Sequence, residues 1–250
     1  ERLTSGIVKY HLSELPDRGI IRFVNGRWGA GKTHFFRILT DVANANGCLV
    51  ASVEFTNGKE VTPNKFETVF GAIIRRIQTP SAYHADEDAD FGRVLIEAYA
   101  FLAEGRRDHT VTVTGEGLQR ARRLLTEATV MDVDFKKMVL AYWESYQMDE
   151  SADPDLRRSE IIGWFCGDGN VSGARRAFGV NKVVSAANAR LMLQSLAALV
   201  RLSGYSGLVI LLDEMDISYT GLRKNELHIV HSMLRSLIDT IENLQGLFMV

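Results

Sequence analysis

Along the chain, apolar positions recur first with the period of a strand and then with the period of a helix. Ile20, Ile21, Phe23 and Val24 make a short β-rich run over residues 20–25 that ends at a glycine-rich loop. Phe35, Phe36, Ile38, Leu39 and Val42 then recur at helical spacing across 32–45, and Asn46-Gly47 closes that helix. A second strand follows at 48–55, so strand, loop, helix and strand compose a βαβ unit, which predicts a parallel sheet. From Pro63 to Ser203 the pattern is almost wholly helical, with amphipathic stretches at 64–77, 91–103, 116–128, 135–146, 155–165 and 185–201. Breaks fall at Thr79-Pro80-Ser81, Asp86-Glu87-Asp88, Asp153-Pro154 and Gly167-Asp168-Gly169-Asn170. Strand character returns in Leu208-Val209-Ile210-Leu211-Leu212, a continuous apolar run suited to a strand covered on both faces; a helix over 225–244 and a last strand from Gly246 follow. The expected fold is α/β, with a parallel sheet built from residues 1–62 and 204–250 and a large helical insertion over 63–203.

Composition narrows the class. With 46% hydrophobic and 24% charged residues over 250 positions, the chain can bury one large core or two smaller ones and is neither disordered nor fibrous. A net charge of -2 argues against binding nucleic acid through overall charge, while a local basic strip stays open. Cys48 and Cys166 lie far apart with no second ligand at metal spacing, which suits core cysteines in a reducing cytoplasm. No apolar run approaches the roughly 20 residues of a membrane helix, and the first residues lack a signal-peptide pattern. A cytoplasmic protein with no membrane partner is expected. The chain opens on Glu1 and stops at Leu247-Phe248-Met249-Val250, the beginning of a buried strand, which reads as a fragment of a longer protein.

The candidate chemistry begins in the loop Gly26-Arg27-Trp28-Gly29-Ala30-Gly31-Lys32-Thr33, a full phosphate-loop (Walker A) pattern set between a strand and a helix. ATP presents several negative charges, and successive backbone N–H groups opening into a helix N-terminus meet them with fixed dipoles. Gly26, Gly29 and Gly31 let the backbone turn sharply and approach the phosphates, with Ala30 and His34 lending further N–H groups along the loop and first turn. Lys32 supplies a point charge for the β and γ phosphates, and the Thr33 hydroxyl supplies an oxygen for magnesium. The second half of the site is expected at Asp213-Glu214, the end of the apolar run, where open α/β sheets place their ligands. Asp213 is assigned to magnesium and Glu214 to the base that polarises the attacking water; Asp216, two positions on, suits a turn or helix cap better.

Other features resemble chemistry and fail on spacing. Leu202-Ser203-Gly204-Tyr205 lacks the Gly-Gln of a transporter-type ATPase signature, and Asn181-Lys182-Val183-Val184 has Val184 where a guanine-reading Asp is required. His228 and His231 stand three apart on a predicted helix without a third ligand. Arginine pairs at 75–76, 106–107, 157–158 and 175–176, with Arg120, Arg122 and Arg123, suit solvated helix faces, a nucleic-acid track or subunit contact being the sharper alternative. Trp28 inside the loop could cover a nucleotide or a partner, or fill space beside the loop.

With loop and acidic strand in hand, the sequence resembles the ATP-binding proteins of bacterial BREX-type phage-defence systems, P-loop ATPases related to AAA+ proteins. The resemblance is carried by Gly19-Ile20 through Thr33-His34-Phe35-Phe36, by Trp164-Phe165-Cys166-Gly167, by Gly204-Tyr205-Ser206-Gly207-Leu208 leading into Leu212-Asp213-Glu214, and by the helix around Leu237-Ile238-Asp239. It implies an AAA+-like P-loop NTPase sheet of the additional-strand type, ATP and magnesium as cofactors, other subunits of a defence complex and DNA as partners, and a homo-oligomer in the full-length form. In such rings an arginine from one subunit completes the site of its neighbour; by the resemblance that arginine and the polar sensor residue follow the strand near Leu247, beyond Val250. The resulting expectation is an ATPase in which Lys32, Thr33, Asp213 and Glu214 form the catalytic core. Its rivals are a nucleotide-dependent switch that grips protein or DNA with little hydrolysis, and a small-molecule kinase.

Overall fold

In the computed structural model, which describes residues 6–7, 11–14, 17–27, 29–55, 61–168, 170–215, 223–241 and 243–250, five strands form one sheet. β1 (Ile20–Ile21), β2 (Cys48–Glu54), β3 (Ile77–Gln78), β4 (Gly207–Asp213) and β5 (Leu247–Met249) lie in the order β1-β5-β4-β2-β3. The first four strands of that order run parallel, and β3 closes the edge antiparallel to β2. Register is long only in the centre, where β2 and β4 pair from Cys48↔Gly207 to Glu54↔Asp213. The protein is thus mixed α/β with a mostly parallel sheet.

The chain divides into two compact units, residues 1–89 with 205–250, and residues 90–204. In the first unit, the two-residue alternation of strands sorts side chains onto opposite faces. Cys48 and Val50 of β2, Val209 and Leu211 of β4, Phe248 of β5 and Ile20 of β1 share one face, where Phe36, Leu39, Val42 and Ala43 of α1 (Lys32–Ala45) cover them. Burying a side chain such as Leu39 completely contributes on the order of 2 kcal/mol. Burial pushes the Cys48 thiol up to about 12, so it stays protonated and serves as packing. α2 (Phe66–Arg76) also packs on β2 and buries Val69, Phe70, Ile73 and Ile74. Residues 63–89, helical by period and grouped with the insertion on that basis, fall with the sheet because α2 covers β2 and Ile77–Gln78 joins its ladder.

The break expected at Thr79-Pro80-Ser81 is present, and it also opens a short helix that the periodicity did not show. Thr79 caps α3 (Pro80–His84) by accepting the Ala82 N–H, and Pro80 takes the first turn, where its missing donor costs nothing. Gly19 has a steric role: a Cβ there would lie 2.1 Å from Ile241 O and 2.6 Å from Leu244 O, at the end of α10 (Lys224–Ile241). Both atoms are backbone and cannot rotate away. Gly19→Ala is expected to destabilise the first unit by about 1–3 kcal/mol, read as a lower urea midpoint at unchanged slope.

The second unit is helical: α4 (Phe91–Glu104), α5 (Gly115–Glu127), α6 (Val133–Glu144), α7 (Pro154–Cys166), α8 (Val171–Phe178) and α9 (Ala189–Leu202). Asp90, Thr114, Asp132, Asp153 and Asn170 each accept a backbone N–H at a helix start. Asn170 therefore opens α8, a helix missing from the periodic reading of the 167–170 break. The core of this unit is aromatic: Phe165 lies edge-on to Phe91 at 5.0 Å and to Phe135 at 5.1 Å, and buried Trp143 donates its indole N–H to Leu95 O at 2.7 Å.

Candidate nucleotide-binding site

β1 leaves the sheet early. Strand character was expected to residue 25, but the ladder holds only Ile20–Ile21, with Arg22 N–H still bonded to Met249 O at 2.9 Å. β5, the strand beside it, ends at Met249, so Phe23 and Val24 have no ladder partner among the described residues and are 64% and 39% exposed. The chain then turns through the glycine loop. Ala30 N–H bonds Arg27 O at 3.0 Å, and Gly29 and Gly31 take φ of 76° and 85°, a left-handed conformation that costs a side-chain-bearing residue roughly 1–2 kcal/mol. Gly31 is the N-cap of α1 and carries no side-chain cap, which leaves the first-turn N–H groups of Lys32, Thr33 and His34 turned toward the loop. These N–H groups and the positive end of the helix dipole make an anion seat.

Lys32 is half-buried and its ammonium donates to Gly26 O at 2.8 Å, so the charge is held back across the loop. Gly26, Ala30 and Lys32 pack closely: a Cβ on Gly26 would come 3.1 Å from Ala30 Cβ and 3.6 Å from Lys32 Cγ. The Thr33 hydroxyl donates to Asp213 Oδ2 at 3.2 Å, joining residues 180 positions apart in the chain. Glu214, which follows, has φ of 59° and donates its backbone N–H to Asp213 Oδ1 at 2.9 Å. A glutamate in this conformation is held there by its surroundings, as at many functional sites. Between loop and acidic strand end lies a cavity of about 190 Å³ that Gly26, Lys32, Asp213 and Glu214 line together with apolar Ile21, Leu234 and Met249.

The pair of oxygens at Thr33 and Asp213 fits a hard divalent cation such as magnesium, which takes one or two protein oxygens and fills its other positions with phosphate and water. Among the described residues no group of three His, Cys, Asp or Glu side chains could hold a metal, and His228 and His231 are exposed on α10. Trp28 and Asp216 lie outside the described residues. Met215 and Leu234 line the cavity without having been singled out, because an apolar residue gives no chemical signal in sequence.

The remaining motifs resolve into local structure. The Asn181 and Lys182 N–H groups donate to Asp134 Oδ2 at 2.9 and 3.0 Å, so that turn is held by a buried carboxylate. Ser203, capping α9, donates to Leu199 O at 2.7 Å. Several arginines of the helical unit are engaged at home: Arg106 with Glu104 and Asp108, Arg122 with Glu144, and Arg157 over the Phe178 ring at 4.0 Å. No helix among the described residues is long and apolar enough to cross a membrane.

Compared with known proteins, the chain finds no match among curated sequences and none among solved structures. The model of one protein family does match, and it covers residues 13–250, from ahead of β1 to the end of β5. That span takes in the glycine loop, the acidic strand end, the whole helical unit and most of the sheet unit, and the family is described as ATP-binding. The chain belongs to the family of the BREX system ATP-binding protein BrxC/D.

Proposed function

We propose that the chain binds ATP with magnesium and hydrolyses it, driving a conformational change in a larger phage-defence assembly that handles foreign DNA. The observation that carries this reading is the Thr33–Asp213 hydrogen bond, which brings the phosphate loop and the acidic strand end into one site. Backbone N–H groups of Gly29, Ala30, Gly31, Lys32, Thr33 and His34 cradle the phosphates, with Gly26 allowing the close approach. Lys32 moves from Gly26 O to the β and γ phosphate oxygens. Thr33 and, through water, Asp213 hold magnesium, which when bound neutralises charge on those oxygens. Glu214 accepts a proton as a water oxygen attacks the γ phosphorus, and the bond from that phosphorus to the bridging oxygen breaks to release ADP and phosphate.

The strand order supports an AAA+-like P-loop NTPase of the additional-strand type, because β5 stands between the loop strand β1 and the acidic strand β4. The helical unit, other BREX subunits and further copies of the chain are the proposed relays of the change. Phosphate release measured on the full-length protein with ATP and magnesium, with and without DNA, tests the reading: magnesium-dependent turnover is expected. Tight magnesium-ATP binding with no turnover under any condition would replace hydrolysis by a nucleotide-gated switch.

A further inference from the structure

We infer that Glu54 is a positioning residue of this site, a third carboxylate set beside Asp213 on the side of the sheet where α1 begins, and that it holds water in the magnesium shell; the inference rests on the ATP-site reading above. Sequence alone gave Glu54 no distinction. In the sheet it is the last residue of β2 and stands directly across from Asp213. Parallel neighbours in a ladder are about 4.8 Å apart. The register continues past them, since Phe55, itself buried, donates its N–H to Asp213 O at 3.0 Å, so the end of β2 is fixed to the end of β4.

Alternation places Glu54 on the same face as Asp213. Cys48 and Val50, three and two steps of two before it, lie under α1, as do Val209 and Leu211 before Asp213. Thr33, on the first turn of α1, reaches Asp213 from that face. The cover given by α1 stops short of the strand end: Cys48 and Val50 are buried, whereas Ser52 and Glu54 are exposed. Glu54 thus borders open space at the head of α1, next to the oxygens assigned to magnesium. Glu214, by contrast, lines the cavity with Ile21 and Met249 of β1 and β5, on the other flank of Asp213. One carboxylate serves the attacking water and the other the metal side.

Two like charges directly opposite in a ladder oppose folding unless something between them compensates. Magnesium dehydrates reluctantly and keeps several waters, which need acceptors, and partners of that outer kind set metal affinity by about 10–100-fold. Glu54 is placed to accept from such a water without touching the ion.

The test uses the full chain, a fluorescent ATP analogue and magnesium chloride. Glu54→Gln is expected to raise the magnesium concentration for half-maximal nucleotide binding by about tenfold. Binding in EDTA should be no weaker than in the parent, which also checks that the site is folded. Asp213→Asn is the reference and should raise the requirement too. If Asp213→Asn shifts it and Glu54→Gln does not, the role of Glu54 is overturned while the site reading stands. If neither shifts it, magnesium has been misplaced and both fail. Loss of nucleotide binding in EDTA by Glu54→Gln would equally overturn a metal-side role.

Discussion

Lys32→Ala is expected to lower ATP affinity at least about a hundredfold and to abolish turnover, measured by nucleotide binding and phosphate release on the same preparation. A hydrogen bond to a charged partner contributes about 1.5–3 kcal/mol, and in the proposed complex Lys32 would face two phosphates at once. Its present partner, Gly26 O, is a neutral carbonyl at 2.8 Å, so exchange for a phosphate oxygen strengthens the contact as it moves. Removing the side chain leaves the loop glycines and the N–H groups of α1 in place, and folding should survive, because the head of α1 is partly exposed and the core lies beneath Phe36 and Leu39. A variant that binds ATP as tightly as the parent would show that the loop is only a turn.

Glu214→Gln separates binding from chemistry. Affinity for magnesium-ATP should stay within about twofold, while turnover falls by about 10²–10⁴, the usual contribution of a general base. The amide keeps the shape of the side chain and the backbone bond to Asp213 Oδ1, so the φ of 59° need not change. Single-turnover measurements distinguish this from slow product release, since a lost base slows the first cycle as well. Hydrolysis at the parent rate would remove Glu214 from the reaction and leave the water to another group.

What could be read from the sequence follows from the physics of each feature. Gly29 and Gly31 announce themselves because only glycine takes their φ without strain, and Lys32-Thr33 follows at fixed spacing. The run 208–212 announces a strand buried on both faces, and the acids after it mark the ligand edge. Periodicity says which face is apolar and not which strand lies beside which, so an additional-strand order came only as what the resemblance implies, and the register that pairs Glu54 with Asp213 had no counterpart in sequence. Short elements were misjudged for a related reason. Pro80 and Asn170 are as common in turns as at helix starts, and α3 and α8 have too few residues for a period to decide. β1 erred the other way, its apolar residues continuing to Val24 after its ladder stopped.

The burial of β4 limits how this site can diverge. Residues 208–211 are covered on both faces, so Val, Ile and Leu can replace one another there with small losses that neighbours absorb. Length is different. Inserting or deleting one residue turns each later side chain to the opposite face and would exchange the positions of Asp213 and Glu214. Lineages carrying this strand are therefore free to rewrite its letters but not to change their number.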